Sequence, residues 1–404
     1  MLRVQQKVAM HVNRAVATTI PARALDDLNW MRALAAVNVL AGHVRGSFFV
    51  ELPSKASLFA RGAYLLTGFG HQAVIVFFVL SGFFIGTSVV ATTRDGTWSW
   101  QRFALRRFTR LYVVLLPALA LTAAWDSVGL SLFGMKGIYI GQINAPYLTL
   151  PDLRETFTLK VLLGNVAFLQ ELFVPPFGSN GPLWSLSYEF WAYLAFPLLF
   201  RAALGGSSVS VRTASAAAGV ALFFVLGGKF PFYFSIWSLG ALVAIGFNFR
   251  PMSVRSPVVS VAATAIFTMA LLVARGQLLH RRLLEDFLLG AATALFVAVR
   301  LAVASGDQAQ NDAVSRAYTR WGDVLAGFSY TLYATHYPVV SFFQAALVGD
   351  HRWTPSPSRD LIALAVGVAI IALYVYPVAR LTEARTDVVR RWLERRRLLQ
   401  PRSA

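Results

Sequence analysis

The sequence predicts an all-α polytopic membrane protein, a bundle of about ten transmembrane helices. Three observations predict it. Of 404 residues, 56% are hydrophobic and 14% charged, whereas soluble domains carry about 25% charge, and the mean hydropathy is +0.57. The apolar residues fall into blocks of about 18–22, the length that crosses some 30 Å of hydrocarbon. The excess of 37 Lys and Arg over 19 Asp and Glu gathers in tails and loops between blocks, as the positive-inside rule requires. No aromatic and basic motif of a nucleic-acid reader accompanies that charge, so nucleic acid is not an expected partner. The absence of cysteine excludes disulfides, thiolate metal sites and a cysteinyl acyl intermediate.

The blocks lie near 30–50, 72–93, 111–131, 183–203, 213–228, 231–247, 257–274, 284–304, 324–346 and 361–380. Residues 1–28 carry Arg3, Lys7, Arg14 and Arg23 without a clean apolar core. They read as a cytosolic basic tail lying on the membrane surface, not as a secretory signal. Residues 29–380 form one transmembrane domain, and 381–404 a cytosolic Arg-rich helix. The loop 94–110, with Arg94, Arg102, Arg106, Arg107 and Arg110, and the tail from Arg385 to Arg402 both belong in the cytosol. The loop 275–282 dissents, since it would face outward with three arginines. The outer loop covers about 131–182. Inside it, 160–174 is apolar but too short to span comfortably, and is expected to re-enter or lie at the interface. If it spans, every later sidedness flips. The turn-rich "PPFGSNGP" (175–182) follows it.

The ionisable residues inside these blocks carry the functional signal. Arg32 and His43 lie eleven residues apart, which on a helix is three turns plus about 20° and about 16 Å of rise. They share a face with Ala36, Val39 and Leu40 between them, a geometry that suits a slim amphiphile with an anionic head. Arg32 reads equally as a snorkelling anchor, but an imidazole at that depth is a candidate for function. His336 would lie about 18 Å in from the cytosolic side and Glu189 about 9 Å below the outer face. Glu189 either polarises an imidazole or pairs with an arginine such as Arg45, and His336 either joins the chemistry or packs a helix. His71 reads as interfacial. In "FFVLSGFFIG" (77–86), Gly82 and Gly86 allow close helix approach, and Ser81 offers a hydroxyl. Arg106, Arg107 and Arg110 either set topology or, with Arg32, bind phosphates.

Taken in order, Arg32-x10-His43, "VFFVLSGFFIG", "RRFTRLY", "NGPLWSLSYEFWAYLAFP" and "SYTLYATHYPV" resemble the five signatures of acyltransferase family 3, integral membrane O-acyltransferases. The resemblance covers roughly 27–380. Two departures stand out. No proline follows "RRFTRLY" until Pro117, and Phe190 stands where a second acid usually follows Glu189.

The resemblance implies ten spans in a bacterial inner membrane with both termini cytosolic. It implies transfer of an acyl group, usually acetyl, from cytosolic acyl-CoA (acetyl-CoA) to a hydroxyl of a glycan, a lipid-linked sugar or another acceptor reachable from the lipid bilayer. Neither a metal nor another cofactor is implied. His43 matches the catalytic histidine, with Glu189, His336 and Ser81 as further catalytic candidates. Arg32, Arg106, Arg107 and Arg110 are expected to bind the donor, and Ser185, Ser187 and Tyr188 to line the substrate site. The oxyanion donor is open among Ser81, Asn38, Tyr188 and His336. A second class also fits buried His and Glu: a multi-span transporter or flippase for a glycolipid or polysaccharide precursor.

Overall fold

A computed structural model describes residues 20–143, 152–204, 206–305 and 312–396. Arg3, Lys7, Arg14, Arg397 and Arg402 lie outside the described residues. Along the chain run α1 (Ala22–Phe48), α2 (Leu58–Leu66), α3 (Gly70–Arg94), α4 (Trp100–Phe133), α5 (Leu159–Val166), α6 (Trp184–Leu204), α7 (Val209–Leu226) and α8 (Phe230–Phe249). Then come α9 (Pro257–Gly276), α10 (Arg282–Ala304), α11 (Ala313–Ala326), α12 (Ser329–Phe343), α13 (Pro357–Ala369), α14 (Tyr376–Leu381) and α15 (Thr386–Arg395). Among the described residues the only extended pairings are isolated bridges such as Phe49 with Trp353.

Every expected span coincides with a helix, and the molecule is an all-α polytopic membrane protein. Among the described residues seven segments are long and apolar enough to cross a membrane, so length and composition do not establish the count of ten. The three that fall short are α1, α6 and α12. The first two have the length, 27 and 21 residues, and miss on polar content, while α12 has 15 residues before a π turn at Gln344–Val348. These three helices carry Arg32 and His43, Glu189, and His336. The apolar stretch 160–174 forms α5, eight residues and about 12 Å long, then turns through Phe168 and Glu171 with φ of 55° and 62°. It does not span.

The chain divides into two compact units. The first takes the residues up to Ala35, His71–Ser99 and Leu186–Ala326. Its core joins Leu28, Val76, Leu80, Phe83, Ala244, Val297 and Leu301. Helices α3 and α8 meet backbone to backbone: a Cβ on Gly82 would stand 1.9 Å from the Trp237 carbonyl oxygen, and one on Gly240 1.9 Å from that of Val79. This is the close approach that small residues permit in lipid, where packing replaces the hydrophobic drive.

Polar contacts pin the amphipathic α11 to the start of α1. Asp27 takes hydrogen bonds from Arg300 (2.5 Å) and Tyr318 (2.9 Å), Asp26 from Thr319 (2.7 Å), and Asp323 from Asn29 (2.9 Å). Burial, with Asp26 nearby, raises the Asp323 carboxyl above the ordinary 3.8. Burial likewise raises Asp26, offset by the Thr319 hydrogen bond and reinforced by Asp27. The dissenting loop has a local explanation. Arg282 donates to His71 Nδ1 at 3.2 Å, and His71 Nε2 donates to the buried Asp286 at 2.8 Å. That arginine partners the histidine that holds the buried Asp286, so its place follows partnership as well as sidedness.

The second unit takes Ala36–Gly70, Trp100–Ser185 and residues from Gly327 on. Helices α4 and α12 pack together, and α15 lies on α4. The segment 175–185 is tied down at several points. Asp126 on α4 accepts from the Ser179 amide (2.8 Å) and hydroxyl (2.6 Å). Gly178 turns there with φ +59°, and a Cβ on it would sit 2.2 Å from Asp126 Oδ2, so glycine is required twice over. At the far end of α12, Glu383 accepts from the amide and hydroxyl of Thr331 at 3.0 and 2.9 Å.

Candidate active site

The second unit brings two of the expected residues together. His43 Nδ1 lies 2.7 Å from His336 Nε2, and the ring planes are 12° apart. His336 is fully buried, whereas His43 is half-buried. Tyr337 closes edge-on against His43, centroids 4.8 Å apart.

Local chemistry holds both rings. Pro338 has no N–H, so the carbonyl of Ala334, four residues back, loses its helical partner. Asn180 supplies one, donating from Nδ2 at 2.9 Å while also reaching Thr122 at 2.9 Å. The Tyr333 hydroxyl donates to the Pro182 carbonyl at 2.7 Å, which leaves its oxygen to accept from Ser185 at 2.7 Å. The "NGPLWS" stretch thus fastens the helix that bears His336. On the other side, α1 ends five residues past His43. Arg352 caps it through the carbonyls of Gly46 (3.2 Å) and Phe49 (2.8 Å) and pairs with Glu51 (3.1 Å), a cation where the helix dipole favours one.

The first unit holds a second polar cluster. Ser81 donates to Glu189 at 2.7 Å, Tyr193 donates to the same carboxylate oxygen, and Trp237 Nε1 donates to Ser81 at 3.2 Å. A hydroxyl has one proton, and that of Ser81 goes to Glu189. The neighbouring candidates Ser187 and Tyr188 are buried, with the Tyr188 ring 5.0 Å from Tyr233. Ser185 is spent on Tyr333, as above. Arg45 lies over the Tyr64 ring at 5.0 Å.

Of the basic candidates, Arg32 sits on the unbroken α1, over the Phe84 ring at 6.0 Å. Arg106, Arg107 and Arg110 are half-buried on the first turns of α4. Arg107 lies over Phe103 at 5.7 Å. Arg110 has no hydrogen-bond or ion-pair partner among the described residues. The packed α15 adds Arg390, held by Asp387 at 3.2 Å. Among the described residues no group of three or more His, Asp or Glu could hold a metal ion.

Sequence reasoning missed Asn180, Tyr333 and Arg352. The Pro338 in "THYP" was a readable signal for Asn180, because it announces an orphan carbonyl that something must satisfy.

The acyltransferase domain family matches residues 25–376. Over 178 residues the chain is 30% identical to the acyltransferase MdmB of Streptomyces mycarofaciens, which covers 44% of this chain and 39% of that relative. The chain therefore matches less than half the length of that relative. No solved structure matches.

Proposed function

The chain belongs to acyltransferase family 3, and on that premise we propose that it moves an acyl group from acyl-CoA to a hydroxyl of a glycan, a lipid-linked sugar or another acceptor reached from the membrane. The observation that carries the reading is the His43–His336 pair, with His43 on the opening signature helix and His336 on α12, in a chain whose residues 25–376 match the family. His43, half-buried and backed by a buried partner, is the general base. A neutral imidazole with one bare ring nitrogen is competent for that task. It takes the acceptor proton as oxygen attacks the thioester carbon, then returns that proton to the departing thiolate. With no cysteine in the chain, direct transfer is the simplest route.

Arg107 and Arg110, with Arg106 beside them, bind the donor's phosphates by bidentate guanidinium contacts. Arg32, about 16 Å before His43 along α1, adds to donor binding. In this reading these arginines and both termini are cytosolic, and acetyl is the usual cargo. The Glu189 cluster braces its unit rather than exchanging protons.

The test is labelled acetyl-CoA given to membranes with and without the protein. Label moving to a hydroxyl acceptor, as an ester labile to mild base, supports the reading. Uptake of a glycolipid or polysaccharide precursor without any label transfer would replace it with a transporter.

A further inference from the structure

We propose that His336 is a positioning residue that fixes the tautomer of His43 and so selects Nε2 of His43 as the atom that takes the acceptor proton. The inference rests on the reading of His43 as the base.

His336 Nδ1 lies 2.8 Å from the Leu332 carbonyl oxygen and 3.0 Å from that of Tyr333. A carbonyl can only accept, so His336 Nδ1 carries a hydrogen. In the neutral ring Nε2 is then a bare lone pair. That lone pair faces His43 Nδ1 at 2.7 Å, and the contact needs one donor, so His43 Nδ1 carries the hydrogen. What remains is His43 Nε2, unprotonated, with no hydrogen-bond partner among the described residues.

The chain therefore runs from two helix carbonyls through one imidazole to the other, and ends on a single basic atom. In a serine hydrolase a carboxylate sets the tautomer of the catalytic histidine. Here a neutral imidazole does so, without placing an unpaired charge in a buried site, which would be costly. When His43 Nε2 receives the acceptor proton, Nδ1–H stays on His43 and its bond to His336 strengthens, because the donor is now cationic. The carbonyl of the thioester gains the acceptor oxygen and loses sulfur, and the proton on Nε2 passes to the thiolate. Both histidines end as they began.

The carbonyls at the root of this chain are themselves held. Tyr333 is anchored through its hydroxyl to Pro182, and the next residue, Ala334, through its carbonyl to Asn180.

The test uses the full chain in lipid with 15N-labelled histidine. The chain has six histidines, and the two signals are assigned by subtraction in His43→Gln and His336→Leu. At neutral pH both rings are expected to show hydrogen on Nδ1 and a bare Nε2. His336→Leu should release His43 from that single tautomer. It should also lower kcat for transfer about 10- to 100-fold, the usual cost of losing an orienting partner, with KM for the donor within about twofold. His336→Gln, whose amide oxygen can accept where Nε2 did, should recover much of the loss. Wild-type His43 with hydrogen on Nε2, or a folded His336→Leu with wild-type kcat, overturns the proposal. The nitrogen spectrum needs no turnover. A fixed Nδ1–H tautomer in a protein that transfers nothing would sink the function and leave this geometry intact, while transfer with hydrogen on Nε2 would do the reverse.

Discussion

The two polar clusters of this protein look alike in composition and differ in what they leave over. In the first unit, Glu189 accepts from Ser81 and Tyr193, and Ser81 in turn accepts from Trp237. Every proton there ends on an acceptor. In the second unit, the chain from Leu332 through His336 to His43 ends with one nitrogen unspent. A closed network rigidifies a helix contact, since buried polar groups are costly only when unsatisfied. An open one presents a reactive atom whose orientation is already set. Placing ionisable groups in a membrane is not what distinguishes function from scaffold; the leftover valence is.

Substitutions in each cluster test that contrast. The largest effect belongs to His43→Ala, which should cost about 10²–10⁴ in transfer rate, the range of a lost general base. Expression and thermal stability should stay close to wild type, so that the loss reads as lost turnover. Label transfer from acetyl-CoA, with size-exclusion behaviour as the control for folding, measures it.

Glu189→Gln should be milder. The amide oxygen still accepts from Ser81 or Tyr193, so a drop of less than about tenfold in kcat is expected. Glu189→Ala strands both donors, at about 1–3 kcal/mol each if they stay buried. It should therefore appear as lost folded protein rather than lost turnover in what remains. A folded Glu189→Gln as inactive as His43→Ala would erase the distinction between the clusters.

Arg107→Ala and Arg110→Ala should each raise KM for acyl-CoA about tenfold or somewhat more, the worth of a charge-assisted hydrogen bond to phosphate, with kcat little changed. Arg32→Ala should act in the same direction. An unaltered donor KM would remove these arginines from the site.

The smallest effect concerns the strap at the start of α1. Asp323 and Asp26 both lie above the ordinary carboxylate value in the folded protein. The folded state then binds more protons than the unfolded one, and this contact loses stability as pH rises through the raised values. Asp323→Asn keeps an acceptor for Asn29 and removes the charge. Its melting temperature should exceed wild type by about 1 °C near neutral pH, and the gap should close as the medium is acidified toward the ordinary carboxylate range. A lower melting temperature at neutral pH would show that the charge stabilises.

Much of this architecture was legible in the residues. The apolar blocks predicted a helix for each span, and Gly82 predicted the close crossing that its contact with Trp237 makes. His43 stood out because imidazole is rare in an apolar run. Its partner was visible only as a separate oddity. His43 and His336 are 293 residues apart, and no local pattern says that two buried rings share a proton. The tautomer was beyond reach for the same reason, since it depends on which carbonyls His336 meets. The strap helix α11 escaped notice because its polar face hid it in a loop. The contact of Arg282 with His71 escaped because the two are 211 residues apart. The helices α1, α6 and α12 fall short as apolar spans because they carry the polar residues of the two clusters or, in α12, end early at a π turn.

In the proposed mechanism the neutral imidazole of His43 takes the proton. The most direct measurement is the pH dependence of kcat/KM for acyl transfer, in wild type and in the residual activity of His43→Ala. The wild type should show an acid limb of unit slope, as protonation removes the base, and the variant should show none. An acid limb that survives in His43→Ala would contradict the mechanism and move the base elsewhere.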